Sequence, residues 1–154
     1  MHYHQLHIVP FLSGNPIGGK VLCTAGYVSV FRGAPNGIEA CIEALRKPGG
    51  ENAQVYVDSA QFIPSEHIFI GFSEKPALSG DQRRDSILGA MLVPEKIIVI
   101  NEPFQGMSED RREELARRLC EFAQQSGRIV IVTQLSDRPE CWIENSKVAR
   151  IDVT

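Results

Sequence analysis

Gly14 to Lys20, GNPIGGK, satisfies the spacing G-x-x-x-x-G-K, in which converging backbone N–H groups and a lysine cradle phosphates. Such a loop works at the start of a helix, where the dipole favours anions and a following Ser or Thr hydroxyl holds magnesium. Here Val21 takes the hydroxyl position and strand-like residues follow, so the spacing reads as coincidence. A second stretch, Gly33 to Cys41 (GAPNGIEAC), has the right context, with a strand pattern before it and a helix pattern after it. Ser79 precedes Gln82 by three, the capping-box spacing in which side chain and backbone satisfy each other's exposed donors. His2, His4 and His7 lie close together, and on a strand His2 and His4 share a face that could bind a metal; chance at a fraying terminus is the plainer reading.

The elements that must position these residues follow from periodicity. LHIVPFL and KVLCTAGYVSVF are strand-like, the latter ending in alternation. GAPNG reads as a loop, after which Ile38, Cys41, Ile42 and Leu45 form the apolar stripe of a helix that ends before PGG. QVYVD reads as a strand, and the stretch from Phe62 to Ala77 has no sustained helical period. A helix is predicted from Ser79 to about Leu92, closed by Pro94. KIIVI follows as a continuous β-branched run, the pattern of a strand covered on both faces. Ser108 is positioned to cap a further helix with Glu109 and Asp110 in its first turn. Leu115, Leu119 and Phe122, flanked by Ala116, Cys120 and Ala123, are its expected buried stripe, and Gly127 its stop. RIVIVTQ is another buried strand, and the tail CWIENSKVARIDV reads as a strand or hairpin, with Trp142 and Ile143 as core or as a contact patch. This alternation predicts an α/β fold with a largely parallel sheet.

A chain of 154 residues with 43% apolar content suits one domain with one core. A formal net charge of −3, with basic residues interleaved among acids as in EDRREELARR, argues against a nucleic-acid partner. The longest apolar runs are far short of a bilayer span, and the first residues lack a secretory pattern, so a cytoplasmic protein is expected. The 4 cysteines lie far apart and read as buried thiols rather than a zinc site or disulfide framework.

The ordered words resemble the nucleotide-binding domain of ATP-binding cassette (ABC) proteins. LSGDQRR is similar to that family's signature, IIVINEP to its Walker B strand and catalytic glutamate, FQGMSED to the D-loop that follows, and IVIVTQ to the strand ending in the switch histidine. Residues 25–58 resemble the family's strand, phosphate loop, helix, turn and strand in shape rather than chemistry. The resemblance implies a P-loop-NTPase-like ABC ATPase core over residues 1–154.

By the same resemblance, Gly33, Asn36, Gly37, Ala40 and Cys41 form a degenerate phosphate loop, present as structure and absent as chemistry. The essential lysine's place falls at or near Ala40, and Glu39 adds a negative charge where triphosphate oxygens would lie. Gln61 matches the glutamine that reaches magnesium and water. Ser79, Gly80 and Gln82 match the signature, with Asp81 in place of its second glycine; Ser79 and Gln82 alone are equally a capping box. Asn101 takes the place of the magnesium-binding aspartate, Gln134 that of the switch histidine and Ser108 that of the D-loop aspartate. Glu102 stands where the family keeps its general base, or simply caps the strand end. Only Phe62 to Ala77 is available for the helical subdomain that docks on transporter membrane domains, so that subdomain is expected to be reduced or absent. These losses imply a non-catalytic binding or scaffold subunit that pairs with itself or with an ABC-type ATPase through the signature face. Nucleotide binding or weak ATP hydrolysis is the alternative, and the cofactor is accordingly either none or ATP with magnesium.

Overall fold

The computed structural model describes residues 4–12, 15–16, 21–33, 35–47, 53–57, 65–71, 80–104, 107–133 and 146–151. Their elements are β1 (Gln5–Leu12), β2 (Asn15–Pro16), β3 (Val21–Thr24), β4 (Val28–Gly33), α1 (Pro35–Arg46), β5 (Ala53–Val57), β6 (Ile68–Gly71), α2 (Gly80–Ala90), β7 (Ile97–Asn101), α3 (Glu109–Ser126), β8 (Ile129–Thr133) and β9 (Ser146–Ile151).

The two continuous β-branched runs lie inside a five-stranded sheet of order β6-β7-β8-β4-β9, every neighbouring pair of which is parallel. Side chains alternate across it: Ile97 and Val99 of β7 and Ile129 and Ile131 of β8 enter one core. Ile98, Ile100, Val130 and Val132 enter the other. A strand apolar at every position is what two covered faces require.

The first core is closed by α1, whose predicted stripe of Ile38, Cys41, Ile42 and Leu45 is buried as expected. On the far side of α1 lies a small antiparallel sheet in which β1 pairs with β2, β3 and β5, and it contributes Leu6, Ile8 and Cys23 to the same core. The second core is covered by α2 through Ile87 and by α3 through Leu115, Leu119, Cys120 and Ala123. Each such fully buried aliphatic side chain contributes about 1.5–3 kcal/mol.

Three expectations change, and one stretch left without an assignment gains one. The run KVLCTAGYVSVF is two strands: the chain turns at Gly26, whose φ is +84°, and passes from the antiparallel sheet into the parallel one. The turn is fastened by Ala25 N–H donating to His4 O at 2.8 Å and Gly26 N–H donating to Arg128 O at 3.0 Å. GAPNG is not a loop, because α1 begins at Pro35; a proline's fixed φ suits the first helical position, where no N–H is needed. IFIG, in the stretch expected to lack a sustained helical period, forms the edge strand β6, half-buried along its length. On α3 the buried stripe takes Ala123, and Phe122 is only partly buried.

The two ends of α3 differ in how they meet the residues' prediction. Gly127 terminates α3 in the left-handed conformation, φ 67°, with its N–H donating to Ala123 O. Ser108 occupies the N-cap position, but its side chain makes no capping hydrogen bond. No described helix is long and apolar enough to cross a membrane.

Candidate functional site

Because the strands of the large sheet run parallel, their carboxyl ends lie together, which is where ligands of open α/β sheets bind. Phe31, Thr133 and Asn101 are register partners across β4, β8 and β7. Beyond this row the exits of β4 and β7 differ.

At the exit of β4, the strand ends at Gly33 and α1 begins at Pro35, so a single residue, 34, connects them. This shortens the expected loop: Asn36 and Gly37, expected in it, are helical, while Ala40 and Cys41 lie in the helix that was expected to follow. Gly37 is buried, Ala40 half-buried and Glu39 exposed. Cys41 faces the first core with Cys23, and burial pushes both thiols from the ordinary 9.0 up to about 12. Cys41 is therefore core, not an anion contact. GNPIGGK contains β2 and leads into β3 rather than a helix, in keeping with a coincidental spacing.

At the exit of β7, Asn101 and Glu102 are brought to one side chain that the sequence reading did not single out. Thr133, only 2% exposed at the end of β8, donates its hydroxyl proton to Asn101 Oδ1 at 3.1 Å. The Glu102 N–H is shared between Thr133 Oγ1 at 3.2 Å and Thr133 O, also at 3.2 Å. These bonds hold Glu102 at φ 48°, among the described residues the one non-glycine position with positive φ. Such a conformation costs on the order of 1–3 kcal/mol and persists where surrounding bonds over-determine it. Asn101 and Glu102 are half-buried, and Pro103 behind them is buried. The one sequence signal for Thr133 is a polar residue closing an apolar run; its partners emerge only from the β7–β8 register.

Gly80 opens α2 and Gln82 is exposed in its first turn. Gln61, Ser79 and Gln134 lie outside the described residues, as do His2, Trp142 and Ile143. His4 is exposed, and among the described residues no group of three or more His, Cys, Asp or Glu side chains is placed to hold a metal ion. Behind the site, α2 is tied to α3 where Glu114 Oε1 meets Arg84 and Arg118, each at 3.3 Å. Arg128 Nη1 donates to Val93 O at 2.6 Å and its guanidinium lies 5.7 Å from the Phe122 ring centroid. A shallow groove lined by Glu66, His67, Pro94, Glu95 and Lys96 lies at the opposite, amino end of β7 and shares nothing with Glu102.

No family model matches the chain, and none of the curated proteins does. Solved structures do. A Pyrococcus furiosus protein described as an ABC transporter ATP-binding protein superimposes with a TM-score of 0.60 at 12% identity, over 94% of this chain and 96% of its own. CbiO1 of Clostridium perfringens, part of the ABC transporter complex CbiONQ, gives 0.60 at 13% identity, over 88% of this chain and 80% of its own. The fold is that of an ABC ATP-binding domain. At these identities the likeness speaks for the fold and not for a retained ABC chemistry.

Proposed function

We propose that this chain is a trimmed, catalytically degenerate ABC-type domain, a single cytoplasmic unit over residues 1–154 that serves as a non-catalytic binding or scaffold subunit of a larger assembly. The observation that carries the reading is the one-residue connection between β4 and α1. A triphosphate is held by a glycine-rich loop of backbone N–H groups and a lysine at this strand-to-helix junction; the first turn of α1 presents N–H groups after Pro35, but one linking residue is too short a loop to wrap the phosphates. The first turn of α1, Pro35 to Ile38, carries no lysine, and the next residue is acidic. Asn101 supplies no charge for magnesium, and Glu102 cannot hydrolyse a nucleotide that is not held. Between β6 and α2 the chain has only residues 72–79, which leaves little chain for a helical subdomain and favours a partner other than a transporter membrane domain.

The partner this reading calls for is a second copy or an active ABC-type ATPase, met through the face that carries the α2 N-terminus. Affinity purification of the tagged chain from its native cells, followed by size exclusion, is the test: recovery in a defined complex is expected, and isolated monomer beside its native partners would count against the reading.

One observation favours a second reading. Glu102 is fixed by two hydrogen bonds in a strained conformation, as a working general base would be. In that case the chain is a weak ATPase with non-standard phosphate contacts, Lys20 among them, and turnover vanishes in Glu102→Gln. A wild-type rate no higher than that of the variant ends this alternative. Melting in millimolar ATP distinguishes plain nucleotide binding, since ligand at a hundred times Kd stabilises by about 2.7 kcal/mol.

A further inference from the structure

The ABC-type fold implies a magnesium-bound nucleotide at the carboxyl end of the parallel sheet, and the donor set of this chain does not fit the metal. Magnesium demands near-octahedral oxygen ligands at about 2.0–2.1 Å and is commonly held by one or two carboxylates together with substrate phosphates. Among the described residues, the end of β7 offers one carboxylate, Glu102, beside the neutral amide of Asn101. The amide oxygen is already in use, accepting the Thr133 hydroxyl at 3.1 Å. That hydroxyl oxygen in turn accepts the Glu102 N–H at 3.2 Å. Turning Asn101 Oδ1 away from Thr133 and onto a cation would leave the hydroxyl of a residue only 2% exposed without its acceptor, the costly case of a buried polar group left unmet.

We propose that the Asn101–Thr133 hydrogen bond makes the carboxyl end of β7 and β8 a metal-free site. Asn101 is the residue that decides it, so any phosphate-bearing ligand received there is received without a divalent cation. A neutral bond between two strand ends stands where a charged ligand set would otherwise be needed. The inference goes beyond the scaffold reading and does not rest on it, because a subunit may or may not carry a metal while it binds a partner.

The test uses the full chain and manganese as the probe, following the loss of the free-ion electron paramagnetic resonance signal. Wild type is expected to take up no more manganese than Glu102→Gln. Asn101→Asp adds a second carboxylate beside Glu102 and is expected to tighten manganese binding at least about tenfold, an effect abolished when Glu102→Gln is added. Wild-type uptake that Glu102→Gln removes would overturn the proposal, as would a folded Asn101→Asp chain no tighter than wild type. If Asn101→Asp fails to fold, the comparison of wild type with Glu102→Gln still decides. None of these outcomes alters partner capture, so failure here and failure of the scaffold reading are told apart.

Discussion

The exits of β4 and β7 lie at the same end of one sheet and are held by opposite means. At β4, which carries a fully buried Phe31 and ends at Gly33, the chain passes through one linking residue into a helix whose Ile38, Cys41 and Ile42 are also buried. At β7 it passes through two half-buried polar residues, tied by hydrogen bonds to Thr133 and strained at Glu102. The first exit is built as core and the second as a site. One end of a sheet can thus be closed by packing at one strand and by polar hydrogen bonds at another.

The contrast can be broken most severely at β4. Phe31→Ala removes a ring from the first core and should cost about 3–5 kcal/mol, read from denaturant midpoints; a cost below 1 kcal/mol would mean that this exit is not held by burial. Alkaline pH probes the same core more gently. The Cys23 and Cys41 thiols titrate near 12 in the folded chain against an ordinary 9.0, so above pH 9 the unfolded chain holds fewer protons than the folded one. Stability is therefore expected to be unaffected by these thiols below pH 9 and to fall between about 9 and 12. A Cys23→Ala, Cys41→Ala variant should show a shallower alkaline loss.

At β7 the expected effects are smaller. Thr133→Val keeps the shape but removes the hydroxyl that serves both Asn101 and Glu102, at a cost of about 1–2 kcal/mol. Glu102 N–H retains the Thr133 carbonyl, which is why the loss should not be larger. Glu102→Gly has the opposite sign: it relieves the positive φ, offset by the entropy of a more flexible unfolded chain, and should leave stability unchanged or raised by up to about 1 kcal/mol. A loss above 1 kcal/mol would show that the Glu102 side chain itself supports the fold.

The sheet core was legible because IIVI (97–100) and IVIV (129–132) are apolar at every position, which few contexts other than a doubly covered strand permit. The α1 stripe and the Gly127 stop were legible for equally local reasons. The β3–β4 division was not, since both strands belong to one apolar run and their parting depends on Gly26 meeting the carbonyl of Arg128. Nor was β6, four residues with no room for a period. For the site, Asn101 and Glu102 could be placed at a strand end from sequence. Thr133 could not, because its part depends on a register between strands about thirty residues apart, information that pairing creates and no local pattern holds.

The place of β4 bears on how the molecule is made. It pairs with β8 and β9 on its two sides, both synthesised roughly a hundred residues after it, and such distant parallel pairings are slow to form. A chain emerging from the ribosome therefore carries a strand whose neighbours do not yet exist, with Val28, Val30 and Phe31 needing cover on both faces. Over that interval the uncovered strand is the part of the chain most exposed to aggregation.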